Sequence, residues 1–273
     1  MKHRLAWIVA LAVAGTALAG CTSKPTVKTP DGLQLVTAGT LTVCTNPPHK
    51  PMEYVDDSGN VVGFDVDLAQ LVADELGTKL AMVQSDASQI ASGAAMSAGQ
   101  CDIGASSIAI TQQRKQSVTF SVPYFAATQA LTVKSDSGIN GLADLSGKKL
   151  AVVDATTGAD YANAQAGQNG YIVVTYTNPD DALNALTAGT SDAVLIDNAA
   201  AYAFVNGNPS TAVATEFQTG ELYGMVAPQG ANGQVLIDNI NQALGTANTD
   251  GTYLKLYQKW IDPKATSASL PTG

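Results

Sequence analysis

Two stretches, Ala126-Ala127-Thr128-Gln129-Ala130-Leu131-Thr132-Val133-Lys134 and Glu221-Leu222-Tyr223-Gly224-Met225-Val226-Ala227, decide how this chain is organised. Both are extended and apolar in character, with none of the composition of a flexible linker. On either side of the first, strand-like and helix-like segments alternate, the pattern of a mostly parallel sheet with covering helices. A chain that leaves one α/β lobe through the first stretch and returns through the second has this layout. The boundaries that follow are residues 36–128 with 226–264 for one lobe and 129–225 for the other. A small ligand is expected in the cleft between them.

In the first set, Leu41–Thr45 is a β-type run followed by the turn-rich Asn46-Pro47-Pro48, with another turn at Asp57-Ser58-Gly59. From Asp65, read as an N-cap, Leu68, Leu71, Val72 and Leu76 recur at helical spacing until Gly77 supplies a C′ residue. Lys79–Val83 is the next strand, Ser88 caps a helix running to Gly99, and Asp102–Ile110 reads as a strand and a loop. The second set has strand Lys149–Asp154, a helix from about Gly158, and strand Tyr171–Tyr176. A helix opened by Asn178-Pro179 and ended by Gly189, strand Ser191–Asp197 and a short helix Asn198–Val205 complete it. Further on, Leu236, Ile237, Ile240 and Leu244 form one helical face and Tyr253, Leu256, Tyr257 and Trp260 another, whose spacing assigns the aromatic stripe to the core.

The N-terminus carries a different signal. Lys2, His3 and Arg4 precede the apolar run Leu5–Val13, which is too short to span a bilayer as a helix. Residues 1–20 read as an export signal, removed in the mature protein. Leu18-Ala19-Gly20-Cys21 resembles the lipobox of bacterial lipoproteins. That resemblance implies acylation of Cys21 and a lipid hold on the cell membrane, at the cell surface or in the periplasm, with more than one acyl chain, since one holds only marginally. Residues 21–35 read as a lipidated tether and 265–273 as a disordered tail.

The 273 residues include 14 Lys and Arg against 23 Asp and Glu, a net charge of −9. Two of the bases, Lys2 and Arg4, lie in the signal, so the mature chain is more acidic still and a nucleic-acid groove is excluded. No run long enough to span a bilayer follows the signal, so no transmembrane helix is expected. His49 is the one histidine left after signal removal, which excludes a His-rich metal site or a Ser-His-Asp hydrolase built on any other. No cofactor or metal is expected. Cys44 and Cys101 occupy a compartment that permits a disulfide. As parallel neighbours they would stand about 10 Å apart, beyond a bridge's reach, so a bond between them is left open.

Five segments carry a resemblance to a known family. They are Leu41-Thr42-Val43-Cys44-Thr45-Asn46-Pro47-Pro48, Val62-Gly63-Phe64-Asp65-Val66-Asp67-Leu68, Ile110-Thr111-Gln112-Gln113-Arg114, Val118-Thr119-Phe120-Ser121-Val122-Pro123-Tyr124, and Asp250-Gly251-Thr252-Tyr253 with Lys259-Trp260. In this order, over residues 36–262, they resemble the amino-acid-binding proteins of ABC importers. The resemblance implies a periplasmic-binding-protein-like fold of type II: two α/β lobes joined by a two-strand hinge, closing over one small ligand.

By its place in Thr-x-x-Arg, Arg114 is similar to the family's carboxylate-binding arginine, and a guanidinium suits that task because it offers two parallel charge-assisted hydrogen bonds. A solvated arginine at a helix start is the competing reading. The resemblance makes Asp197 the acceptor of the ligand's ammonium, against a role as N-cap of the next helix. Thr156 and Thr157 follow a strand, where hydroxyl and N–H groups at a helix start would meet the carboxylate from the second lobe, against simple capping. Ser106 and Ser107 correspond to the loop that holds both ligand termini through its backbone. His49 stands for the family's usual stacking aromatic, Ala109 for a hydroxyl residue, Asn46 for an aspartate, and Ala87 or Gln89 for the other aromatic wall, so the pocket is expected to be less aromatic than usual.

These expectations describe a lipid-anchored, monomeric receptor that captures a free, polar amino acid outside the cell and delivers it to an ABC permease and its ATPase. It is not expected to be an enzyme. One rival is an enzyme resembling cyclohexadienyl dehydratases, in which Glu53 or Asp197 would protonate a leaving hydroxyl. The other is the ligand-sensing subunit of a signalling receptor.

Overall fold

The computed structural model describes residues 32–263 and 265–272. The export signal, Cys21 and the tether up to residue 31 lie outside the described residues. In the first lobe come β1 (Thr40–Thr45), β2 (Tyr54–Val55), β3 (Val61–Val62), α1 (Phe64–Glu75), β4 (Lys79–Gln84), α2 (Ala87–Ala91), α3 (Ala94–Ser97), β5 (Ile103–Gly104) and β6 (Val118–Phe120). β7 (Phe125–Lys134) carries the chain across to β8 (Lys149–Val153), α4 (Thr157–Asn169), β9 (Ile172–Tyr176), α5 (Pro179–Ala188), β10 (Ala193–Asp197) and α6 (Asn198–Gly207). β11 (Thr211–Tyr223) brings it back to β12 (Val226–Pro228), α7 (Ala231–Asp250) and α8 (Thr252–Trp260).

Two five-stranded sheets result, in the orders β4-β1-β5-β12-β6 and β11-β7-β10-β8-β9. β1 lies parallel to β4 and β5, and β8 parallel to β9 and β10. The crossing strands β7 and β11 pair antiparallel with each other. Every residue of β1 after Thr40 is buried, as a parallel strand covered on both faces requires.

Phe64 sits at the centre of the first lobe, wholly buried, with the rings of Tyr253, Phe125, Tyr124 and Tyr257 around it at centroid distances of 5.8 to 6.4 Å. The aromatic stripe of α8 is therefore core, as its spacing predicts. Gly63 opens α1 instead of Asp65. Its φ is +142°, and a Cβ there would fall 2.1 Å from the Met52 carbonyl oxygen, so the close approach needs glycine. The helix expected over Ser88–Gly99 is broken at Ser92-Gly93 into α2 and α3. Asn178 does cap α5, its side chain accepting the Asp181 N–H at 2.9 Å, with Pro179 in the first turn and Gly189 left-handed at the end.

One question left open is answered, and two expectations need correction. Cys44 and Cys101 are bonded, their Cα atoms 5.6 Å apart. The ladder of β1 with β5 holds only Val43↔Ile103 and Cys44↔Gly104. Cys101 precedes that strand, so a distance extrapolated along it does not apply. The tether is docked from Leu33 onward: Leu33 and Leu35 are buried in the first lobe's core, and Val36 donates its N–H to Asp102 Oδ1 at 2.6 Å. The described part of the tail also lies on this lobe, with Ala268 and Leu270 against the core and the Leu270 N–H donating to Asn248 Oδ1 at 3.0 Å. No helix among the described residues is long and apolar enough to cross a membrane.

The bridge closes a separation of 57 residues. Restricting the unfolded chain over a loop of that length stabilises by about 4 kcal/mol. Cys44→Ser combined with Cys101→Ser is expected to lower the urea midpoint, and a reductant to bring the parent protein down to the same value. An unchanged midpoint in the double variant would show that the bridge adds nothing.

Candidate ligand cleft

The parallel strands end on the gap between the lobes. Asn46 follows β1, Ser106 and Ser107 follow β5, Thr156 follows β8, and Asp197 closes β10. Together with His49, Glu53, Ala109, Arg114, Gln129, Thr157 and Glu221 they line a cleft of about 640 Å³, its open mouth included. Of the residues singled out in the sequence, Gln89 alone does not join them. It is exposed on α2, whose cleft-facing residues are Ala87 and Ala91, four apart on one helical face.

Arg114 opens a single 3₁₀ turn, its N–H donating to Thr111 Oγ1 at 3.2 Å. Its guanidinium bridges the lobes: Nη1 donates to the Ala109 carbonyl at 2.9 Å and Nη2 to the Ala155 carbonyl at 2.8 Å. Ala155 holds a left-handed φ of +57°, unusual for a residue with a Cβ. Burial lowers the Arg114 pKa, and Glu221, Asp160, Tyr223 and Asp197 oppose that effect. A guanidinium stays charged regardless. Among the described residues no carboxylate lies within 4 Å of it.

Asp197 makes no side-chain capping bond to α6, so the cap role is not realised. Its Oδ1 accepts from Gln129 Nε2, and its Oδ2 stands 3.7 Å from His49 Nε2. Burial raises its pKa, while Tyr223, Gln129 and Arg114 act the other way. Burial also holds the His49 imidazole down at about 4, so it is neutral at neutral pH and offers one donor and one acceptor.

The hydroxyls are largely committed. Thr156 caps α4, Oγ1 accepting the Ala159 N–H at 3.1 Å and donating to the Val153 carbonyl at 2.7 Å. Thr157 donates to Glu221 Oε1. Ser106 Oγ donates to Glu53 Oε1 at 2.6 Å and accepts the Asn46 N–H at 3.0 Å. Ser107, at φ +49°, donates its N–H to Asp65 Oδ2 at 2.6 Å. Burial pushes Glu53 well above the usual carboxylate range, with Asp65 adding to the effect, and lifts Asp65 to about 6 and Glu221 to about 7.

Gln129 and Glu221 are the site residues that the sequence reading missed. The signal was slight: Gln129 is a large polar residue inside the first crossing stretch, and Glu221 an acid at the start of the second. Asp65 was read only as a cap, yet its side chain turns inward to hold the Ser107 loop.

Two α/β lobes joined by two crossing strands, with a cation and a carboxyl lining the cleft between them, define a solute-binding protein. The model of the bacterial extracellular solute-binding proteins, family 3, matches residues 41–263, and the chain belongs to that family. The ABC transporter glutamine-binding protein of Bacillus subtilis is 31% identical over 206 residues, covering 75% of this chain and 74% of that protein. The histidine-binding periplasmic protein of Salmonella typhimurium is 29% identical over 232 residues, covering 81% and 87%. The solved structure of an ancestral arginine-binding protein bound to arginine is 38% identical with a TM-score of 0.76, covering 82% of this chain and 98% of that one. These are binding proteins and not enzymes, and the chain is of their kind.

Raised carboxyls make the folded protein hold protons that the unfolded chain releases. For Asp65 and Glu221 the resulting stability is complete below about 4 and is lost as pH rises through about 6 and 7. His49 opposes this between about 4 and 6.5, where only the unfolded chain protonates it. With Glu53 adding to the first group, the thermal midpoint is expected to be higher at pH 5 than at pH 8. Glu53→Gln keeps an acceptor for Ser106 without an ionisable group, and is expected to narrow the gap. Equal midpoints in the parent protein would contradict the assignment.

Proposed function

We propose that this chain is an extracytoplasmic receptor, lipid-anchored through Cys21, that binds a free amino acid with a polar side chain and hands it to an ABC permease and its ATPase. The observation that carries the reading is the pairing of Arg114 and Asp197 across one cleft, opposite charges that fit the two ends of a zwitterion. Arg114 hydrogen-bonds two carbonyls inside the protein, so its charge remains available to an incoming carboxylate. Asn46 and the neutral His49 add polar groups for a ligand side chain beside the apolar Ala87, Ile108 and Leu195. The relatives are named for glutamine, histidine and arginine binding, which supports an amino-acid ligand and an importer as its destination.

In this reading residues 36–128 with 226–264 and residues 129–225 act as two bodies in a monomer. The ligand touches both, and its differential affinity for the closed arrangement shifts the population toward the form that a permease recognises. Glu53 is wholly buried and engaged by Ser106 beside Asp65, which supports a part in holding the Ser106 loop.

Titration calorimetry of Arg114→Ala is expected to show the largest loss of any single cleft substitution, with Arg114→Lys recovering part of it. Removing one member of a buried charge pair costs about 2 to 5 kcal/mol, or roughly 30-fold to several thousand-fold in Kd. A folded Arg114→Ala protein within threefold of the parent would sink the site assignment. A thermal-shift screen of the common amino acids identifies the ligand, since 100 times Kd stabilises by about 2.7 kcal/mol. For anchoring, Cys21→Ser is expected to move the protein from the membrane fraction to the soluble one with its affinity intact. Finding the parent protein fully soluble would remove the lipid from this proposal.

A further inference from the structure

Gln129 is wholly buried, and its amide nitrogen has two hydrogens to place. One bonds Asp197 Oδ1 and the other Glu221 Oε2, the latter at 2.8 Å. The second oxygen of Glu221 accepts from Thr157. Four side chains from β7, β10, β11 and the first turn of α4 thus form one connected unit, and two of them stand on the strands that join the lobes.

The backbone is shaped to allow this. Between Phe217 and Glu221 the pairing of β11 with β7 slips, leaving Gln218, Thr219 and Gly220 out of register, with Gly220 at φ +66°. Phe217 stands opposite Gln129 and Glu221 opposite Ala127, so Glu221 is the diagonal neighbour of Gln129 and within reach of its amide. On the other side Gly158 makes room, since a Cβ there would lie 2.5 Å from Gln129 Oε1.

We propose that Gln129 and Glu221 are positioning residues that latch the two crossing strands to Asp197 and Thr157, so that the angle between the lobes and the aim of the ligand-facing groups are set together. The ligand-binding part of this inference rests on the amino-acid reading of the cleft. A neutral amide between two carboxyls holds both without adding charge. Without it Asp197 loses one of its donors and faces Glu221 directly, and the crossing strands lose this side-chain tie.

The test uses Gln129→Leu, Glu221→Leu and Gln129→Leu/Glu221→Leu, with L-glutamine, L-histidine and L-arginine titrated in turn. Each single variant is expected to weaken the best of these at least tenfold, chiefly through faster dissociation. The double variant is expected to lose no more than the worse single, because both break one unit. Glu221→Gln keeps an acceptor for the Gln129 amide and a polar partner for Thr157, so it is expected to stay within threefold of the parent protein, and it remains a test should a leucine variant fail to fold. Losses that add, leucine variants within threefold of the parent protein, or a tenfold loss in Glu221→Gln would overturn the proposal. Small-angle scattering without added amino acid tests the latch alone: the leucine variants should show a larger radius of gyration than the parent protein, and equal radii would overturn it. If the parent protein binds none of the three while the radii still differ, the latch stands and the ligand class falls.

Discussion

Arg114 joins the two lobes through carbonyl oxygens and not through a carboxylate, and the rest of the cleft is arranged around that choice of partners. A carboxylate in the same place would have neutralised the guanidinium within the protein, at the desolvation cost of a buried ion pair. Carbonyl dipoles hold the group in position and leave its charge in effect. The nearby acids then have to be kept off it, and each is engaged by a neutral donor: Asp197 by Gln129, Glu221 by Thr157 and Gln129, Glu53 by Ser106, Asp65 by Ser107. The upward shifts of these carboxyls come first from burial, and the donors oppose it only in part. They are also close to one another, and Arg114 offsets the effect for Asp197 and Glu221 without overcoming it.

The two sheets make such an arrangement possible because their parallel strands end on the same gap. Loops beyond the carboxyl ends of parallel strands are where open α/β sheets place their ligand groups. Here two sheets do so face to face, with β1 and β5 on one side and β8 and β10 on the other. A zwitterion with charges a few bonds apart is short enough to touch both.

Much of this was legible because it is local. The cap and proline at Asn178-Pro179 fix where α5 begins, and the positions just past β1, β5, β8 and β10 follow from where strands stop. The crossing stretches announced themselves as apolar runs in the wrong place for a linker. What a side chain does across the gap was less accessible. Thr156 and Thr157 are adjacent and of one type, yet one caps a helix and the other serves Glu221 from a distant strand. The Cys44–Cys101 bond escaped because it depends on β5 being two residues long, and Leu33 and Leu35 because a two-residue apolar alternation after a turn-rich run is too brief to separate from a linker.

The docking of both described ends on one lobe has a mechanical consequence. Leu33 and Leu35 are embedded in the core that Phe64, Leu236 and Ile240 share, and Leu270 packs on it as well. Any pull on the N-terminal segment is therefore delivered to the first lobe as a rigid load and bypasses the crossing strands. The second lobe is joined to it by β7 and β11 and by the Arg114–Ala155 hydrogen bond, so a load on the chain end reaches that lobe second-hand, through the first.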